Sequence, residues 1–368
     1  MAEQKSSTRR GGQTLVGIAA GLGIAAVLYA IAWFFSANML THEVERWLEA
    51  RRAEGFNIKT GAIEKAGFPL RVAIRIRDLD LAAPPQKGRW TWQTPAVEVS
   101  ASPLQLDRIT LDLTGTHRVA SPWLENPPLQ FTAAKAGLTL TFNDGVLDDA
   151  QLDVSGGDGR WNGDASHLHV DKAGVRIALN PPAPPPAVPA SGKGGGPLPA
   201  VTSRLTLMIE NLTVPGKLPA PLSNTIREVS FNADVVGTME NGALPRMLTG
   251  WSNAGGAVNL KDFTLDWAPL AIRGEGSIAL DQGLQPMGAF TTRLQGFTEG
   301  LDIMVQERRM GKQEAAVAKA MLGLMSKPGA GGAAEISLPL TVQDRLVSAG
   351  PLKLFEVPTV DWPQGAAP

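Results

Sequence analysis

The fold of this chain is decided by a short stretch that reads Arg71-Val72-Ala73-Ile74-Arg75-Ile76-Arg77. Apolar side chains at Val72, Ile74 and Ile76 alternate with charged ones. Successive side chains of a β-strand point to opposite faces, so this spacing places the apolar residues on one face and the arginines on the other. The stretch therefore predicts a β-strand with one buried and one solvated face.

The same period of two recurs along most of the chain that follows. It is seen at Leu138/Leu140/Phe142, Val175/Ile177/Leu179, Leu205/Leu207/Ile209, Phe263/Leu265/Trp267 and Ile336/Leu338/Leu340. Turn residues such as Asn143-Asp144-Gly145 separate the runs, and the gaps are too short for the crossover helices that parallel strands need. The predicted fold class is mainly β, with an N-terminal transmembrane helix followed by curved antiparallel sheets.

Two segments interrupt the strand pattern. Helical spacing from Gly300 to Ser326 predicts one long helix near 300–326, which Pro328 ends. The run at 181–200 is rich in proline and glycine and has nothing to bury, so it is predicted to be a linker. It divides the exported part into β-rich halves at 56–180 and 201–368, which either share one sheet or form two.

The N-terminus carries the signal of a membrane anchor. No acidic or basic side chain occurs from Gly11 to Thr41, and the stretch is long enough to cross a bilayer. Basic residues precede it, so the positive-inside rule places the short N-terminus in the cytoplasm and the bulk across the membrane. The predicted order is a cytoplasmic N-terminus at 1–10, a single-pass inner-membrane anchor at 11–38 and a stalk helix at 39–55, with the remainder in the periplasm.

Two further interpretations concern this anchor. A cleaved secretory signal is the alternative, but the apolar run is long for a signal peptide and no good cleavage site follows it. The spacing of Gly17 and Gly21 matches the small-residue pattern that lets two membrane helices approach closely. A homodimer through Gly17 and Gly21 is therefore one hypothesis, and glycine that is merely common in membrane helices is the other.

Charge and composition exclude several classes of function. Lys and Arg number 34 against 35 Asp and Glu, which argues against a nucleic-acid partner because phosphate binding needs a basic excess. The chain contains no cysteine, which removes disulfides, thiolate metal sites and thiol nucleophiles together.

A search for catalytic or metal-binding residues gives mostly negative results. His167 and His169 have ligand-like spacing, but a metal would need further donors, and two polar side chains on a solvated strand face are the commoner case. Ser252 lies in Gly250-Trp251-Ser252-Asn253-Ala254, which approximates a nucleophile elbow, yet no histidine follows it in the chain. We expect no catalytic residue, no metal, no cofactor and no enzymatic activity.

Four features together resemble one family. They are the charged N-terminus with a single span, the segment Gly67-Phe68-Pro69-Leu70-Arg71-Val72, the tryptophan-rich strands with Leu265-Asp266-Trp267-Ala268-Pro269-Leu270, and a tail with Gly350-Pro351-Leu352-Lys353-Leu354 and Trp362. The chain resembles the alphaproteobacterial domain of unknown function 2125 over nearly its whole length. More distantly it is similar to anchored periplasmic β-rich proteins related to AsmA, and that likeness implies apolar grooves for lipid.

The surplus of two-faced strands motivates a functional hypothesis. A sheet with few helices to cover it exposes its apolar face unless it curls on itself or holds a ligand. We expect a groove that binds or conveys lipid or another amphiphile. The residues expected to line it are Val72, Ile74, Ile76, Leu207, Leu265 and Trp267. The alternative is a non-enzymatic scaffold or protein-interaction module whose sheets pack fully and whose edges recruit partners.

Overall fold

A computed structural model describes most of the chain. The described residues are 8–102, 105–122, 128–161, 166–181, 200–239, 242, 244–329, 332–350, 352–360 and 362. Their side chains are described from residue 25 onward, except at positions 106, 166, 352 and 355. The helices are α1 (Thr8–Ala53), α2 (Leu244–Asn253), α3 (Phe297–Gln306) and α4 (Lys312–Met325), with a short 3-10 helix at Pro85–Lys87.

Strands make up most of the remainder. They are β1 (Asn57–Lys59), β2 (Ile63–Ala66), β3 (Val72–Ala82), β4 (Thr91–Ser102), β5 (Gln105–Asp112), β6 (Gly115–Ala120), β7 (Leu129–Asn143), β8 (Val146–Trp161), β9 (Ser166–Leu179), β10 (Val201–Thr213), β11 (Thr225–Val236), β12 (Ala257–Trp267), β13 (Leu270–Leu280), β14 (Pro286–Gln295), β15 (Lys327–Pro328), β16 (Ala334–Gln343), β17 (Leu346–Ala349) and β18 (Leu352–Glu356).

All the described strands belong to one antiparallel sheet, which confirms the predicted fold class. Most strands pair with the next in the chain, as expected when short turns connect them. β1 and β2 both pair with β3, at its two ends. β5 and β6 likewise share the place between β4 and β7. β14 pairs with β16 beyond the helical segment.

The two β-rich halves share this sheet, because β9 pairs with β10 from Leu179↔Ser203 to His169↔Thr213. The predicted linker lies almost entirely at 182–199, outside the described residues. The sheet therefore continues across the point at which the sequence predicted a division.

The main buried core lies at the N-terminal end of the sheet. Leu48 of α1 packs with Ile58, Ile74 and Ile76, and the same cluster continues to Val97 and neighbouring side chains of β3 and β4. Nearer the N-terminus of α1, Trp33 and Ala37 pack against Val72. The apolar side of α1 thus covers the strand that carries the deciding alternation.

The helical segment near 300–326 is present as two helices, α3 and α4. Arg308 has a positive φ of 57° between them, which ends regular helix. Gly311 is the N-cap of α4, and its backbone N–H donates to the Glu314 carboxylate at 3.0 Å. The sequence indicated helical structure here, but the interruption depends on one residue's backbone conformation.

α2 was not predicted, since its ten residues contain Gly250 and lie between strands. Its buried side chains are Leu248 and Trp251, and the Trp251 indole donates to the Val236 carbonyl at 2.8 Å. Packing of Trp251 against the end of β11 therefore stabilises a short helix that its local sequence does not predict.

α1 covers the residues assigned to the anchor and the stalk. From Ala25 to Ala53 it is long and apolar enough to cross a membrane, by length and composition alone. Gly17 and Gly21 lie in the part of α1 whose side chains are outside the described residues, so the homodimer stays a prediction.

Candidate functional site

The candidate site is one face of the sheet, which we call the apolar face. The registers align its side chains in rows that cross the strands. One row runs through Leu138, Leu152, Val175, Leu207, Phe231 and Phe263, and a second through Ile209, Val229, Leu265, Ile272, Leu294 and Ile336. Directly opposed side chains on neighbouring strands contact one another, so each row is a continuous apolar band.

The opposite face is polar and carries ion pairs between neighbouring strands. Arg176 contacts Asp149 at 2.7 Å, and Lys172 contacts Glu210 at 2.8 Å. Asp234, which is buried, pairs with both Arg204 and Lys261 on adjacent strands. Because charges lie on this side, water solvates it and the apolar face is the side that needs cover.

The side chains of the apolar face are buried to different extents along the sheet. Under α1 the side chains are buried, with Ile74 at 0% exposure. In the middle of the sheet they are not, since Val175 is 36% and Ile177 37% exposed. None of the row residues from β8 to β13 named above is fully buried. The sheet thus has a covered N-terminal end and a partly open middle.

The structure places the six predicted groove residues on this one face but in two environments. Val72, Ile74 and Ile76 are buried against α1. The other three lie in the open middle and at its rim. Leu207 and Leu265 are half-buried, and the half-buried Trp267 donates its indole N–H to the Ser223 carbonyl at 2.7 Å. Their contact with a ligand stays a prediction, and Leu207 and Leu265 are the accessible candidates.

Aromatic rings shape the C-terminal side of the open middle. Gly274 of β13 is paired with Phe263 of β12, and Gly276 is paired with Phe290 of β14. A Cβ on Gly276 would lie 2.4 Å from the Phe290 ring, and one on Gly274 would lie 3.0 Å from the Phe263 ring. The glycines therefore let the two rings, which are edge-on to each other, approach the backbone closely, and larger residues would block this approach.

Sequence reasoning did not assign several members of the apolar face, including Phe231, Val175 and Ile177, to the groove. The period of two at Val175 and Ile177 was used to predict a strand, whereas the strand that contains Phe231 was not predicted. What was missing was the register between strands, since a shift of one residue would move a strand's whole apolar set to the other face. Runs of alternating residues therefore identified the strands without joining them into rows.

The two histidines of β9 contact carboxylates. Asp158 Oδ1 contacts His167 Nε2 and His169 Nδ1, each at 3.0 Å, and His169 Nε2 lies 3.1 Å from Asp171. The hydrogen bond that His169 donates to Asp158 raises the pKa of His169 and lowers the pKa of Asp158. Within the described part of the chain, no three His, Asp or Glu side chains are placed to hold a metal ion.

Ser252 and one concavity lie outside the apolar rows. Ser252 lies inside α2 and donates its hydroxyl to the Leu280 carbonyl at 2.8 Å, so the segment does not form the strand–turn–helix of a nucleophile elbow. A concavity of about 350 Å³ is lined by polar side chains together with Leu79 and Pro95. None of the residues of the two apolar rows lines it.

Fold and site together define a class: a single long antiparallel sheet whose apolar face is covered at one end by an N-terminal helix and partly open in its middle. The chain belongs to the family described as uncharacterized protein conserved in bacteria, domain of unknown function 2125, which it matches over residues 33–358. The resemblance found in the sequence is thereby confirmed. No curated protein and no solved structure matches the chain.

Proposed function

We propose that this protein is a membrane-anchored envelope protein that binds lipid or another amphiphile on the open middle of its apolar face. The observation that carries the proposal is the continuity of the apolar rows from β8 to β13, none of whose named side chains is fully buried in the described structure. Exposed apolar surface of this extent usually marks a binding site. The proposed role is non-enzymatic.

The dimensions of the open middle suit an acyl chain. Neighbouring strands lie about 4.8 Å apart, so the strands from β8 to β13 present a surface roughly 24 Å wide. One leaflet of a bilayer has a hydrocarbon layer about 15 Å deep. Covering about 200 Å² of this face would contribute roughly 5 kcal/mol at about 25 cal/mol per Å², before the cost of association.

The anchor supplies the second part of the proposal. α1 is apolar enough to cross a membrane, and its C-terminal half packs on β3. The basic N-terminus favours an orientation with the sheet outside the cytoplasm, at the periplasmic surface of the inner membrane of a Gram-negative cell. A sheet held there by its own anchor would stand next to the lipids that we propose as ligands.

Photocrosslinking tests the proposal on the full-length protein in bacterial membranes. A benzophenone amino acid is placed at Leu207, and the matched control carries it at Met208. Met208 is the next residue of β10, is 44% exposed and lies on the polar face. We expect lipid adducts, detected by mass spectrometry, at position 207 and not at position 208.

Two results would contradict the proposal. Equal labelling at both positions would show only that detergent or lipid reaches any exposed site. Protein adducts at position 207 without lipid adducts would favour the scaffold alternative, in which the same face binds another protein. Circular dichroism typical of a β protein would confirm that both variants are folded.

A further inference from the structure

A short loop between β2 and β3 leaves the sheet and packs against α1. We call residues 67–71 the docking loop. The Arg71 backbone N–H donates to the Gly67 carbonyl at 3.0 Å, which closes the loop into a tight turn. Phe68, Pro69 and Leu70 form its tip. The loop therefore presents apolar side chains at the place where the sheet meets the helix.

Hydrogen bonds and ring contacts fix the docking loop to α1. The Tyr29 hydroxyl donates to the Pro69 carbonyl, and the Trp33 indole donates to the Arg71 carbonyl at 2.8 Å. The Phe68 ring lies edge-on to Trp33, with ring centroids 5.2 Å apart. Trp33 is only 5% exposed as a result. The loop thus lies beside a defined level of the helix.

The outer surface of this contact is apolar and uncovered. Leu70 is 91% exposed and Phe68 55%. On the neighbouring surface of α1, Phe34 is 52% exposed, and its ring centroid lies 6.4 Å from that of Phe68. Loop and helix therefore form one apolar patch, and its exposure to water is unfavourable in free energy.

The level of the loop along α1 places it inside a membrane that α1 crosses. Tyr29 comes seven residues before Ser36, the first polar residue after the apolar run. At about 1.5 Å per residue it lies roughly 10 Å deeper than Ser36 along the helix axis. Half of a hydrocarbon core is about 15 Å deep. The tip of the loop, bonded at the level of Tyr29, reaches the acyl region of the leaflet.

We propose that the docking loop is inserted into the outer leaflet of the same bilayer that α1 crosses. This inference rests on the proposed anchor. Phe68 and Leu70 would contact acyl chains, and Arg71, whose side chain is 52% exposed and pairs with Glu98, would lie at the level of the headgroups. The partner is a lipid surface, and the loop holds β3 and the start of the apolar face against it.

The absence of cysteine from the sequence makes a direct test possible. Single-cysteine variants of the full-length protein are labelled with an environment-sensitive fluorophore and reconstituted into nanodiscs of phosphatidylethanolamine and phosphatidylglycerol. Lipids with a spin-label quencher near the glycerol end of the acyl chain are then added. For Leu70→Cys we expect emission shifted to shorter wavelength and strong quenching. Leu70 is exposed, so its replacement should leave the fold intact.

Two control positions separate the possible failures. Val146→Cys is the matched control, because Val146 is a 65% exposed apolar residue at the start of β8, beside a hairpin turn, and it should stay unquenched. Phe35→Cys reports on the anchor itself. Quenching at 35 without quenching at 70 would overturn the docking loop alone and leave the anchor standing. No quenching at either position would overturn the loop and the anchored part of the proposed function together.

Discussion

Gly67 is the residue on which the geometry of the docking loop depends. Its φ is +86°, and a Cβ there would lie 2.6 Å from the Arg71 carbonyl oxygen. Gly67→Ala therefore adds a backbone clash to the strain of a positive φ, and we expect a loss of about 2–4 kcal/mol in the free energy of unfolding. Urea unfolding followed by circular dichroism measures it.

Gly145→Ala is the control for the strain alone. Gly145 has a similar φ of +78°, but nothing lies within 4 Å of its Cβ position. Its replacement should cost about 1 kcal/mol. Equal losses in the two variants would show that the contact between Gly67 and Arg71 is absent in solution.

His169 gives a prediction about pH. Its pKa is raised from 6.5 by hydrogen bonds to Asp158 and Asp171, so its stabilising charge is present below 6.5 and lost as the pH rises through the higher folded value. The pKa of Asp158 is lowered from 3.8 by His169, so its contribution is lost only as the pH falls below that value. The pair should stabilise the sheet most between 3.8 and 6.5.

The groups that face this pair are His167, which contacts Asp158, and Asn211, which contacts Asp171. Asp158→Asn should lower the His169 pKa, as measured by NMR titration, and should reduce the free energy of unfolding more at mildly acidic pH than at alkaline pH. Asp153→Asn is the control, because Asp153 lies on the same strand and contacts Gln151 instead. An unchanged His169 pKa in Asp158→Asn would contradict the hydrogen bond.

At the scale of elements, the pairing of β9 with β10 joins the two halves of the chain. The register covers ten residue pairs from Ser203↔Leu179 to Thr213↔His169. A protease site inserted between residues 181 and 200 should therefore yield two fragments that elute together in size-exclusion chromatography. Thr206→Pro removes a ladder hydrogen bond from the middle of β10 and should weaken this association. Separation of the fragments without that substitution would mean that the halves are independent.

The sequence predicted the strands better than it predicted which parts of the chain pack against them. Alternation at Val72/Ile74/Ile76 and at Leu205/Leu207/Ile209 identified both strands and their apolar faces. It could not distinguish the buried set from the open one, because α1 covers β3 through contacts between residues far apart in the chain. The ring and hydrogen-bond contacts of Phe68 and Pro69 with α1 have no local signature for the same reason.

Helices were predicted where apolar residues at helical spacing continued over many residues. The segment near 300–326 was identified as helical, but its interruption at Arg308 is set by a backbone conformation that residue type does not specify. α2 is short, contains Gly250 and is stabilised by burial of Trp251 against β11, so tertiary packing outweighs its local sequence.

At the scale of the whole molecule, we propose that stability and ligand binding depend on different parts of one sheet. The end under α1 supplies the packed core, with Leu48 and Ile74 almost completely buried. The middle carries the same kind of side chains without comparable cover. A sheet built in this way is held together by its hydrogen-bonded ladder and its covered end, which leaves the middle able to accept a ligand.

This division predicts a gradient in the cost of truncating leucines on the apolar face. Leu79 is 6% exposed in the core beneath α1, so Leu79→Ala leaves a cavity and should cost about 2–5 kcal/mol. Leu207, on the same face in β10, is only half-buried, and Leu207→Ala should cost about 1 kcal/mol in lipid-free protein because solvent fills the space. Urea unfolding of the two variants in the same detergent gives the comparison.

When a fatty acid is added, the two variants should respond differently. Leu207→Ala removes part of the proposed ligand surface, so the fatty acid should stabilise it less than it stabilises the wild type. Leu79→Ala leaves that surface intact and should be stabilised as much as the wild type. Equal costs for the two leucines without ligand would instead show that the middle of the sheet is closed, which is the arrangement expected of a scaffold.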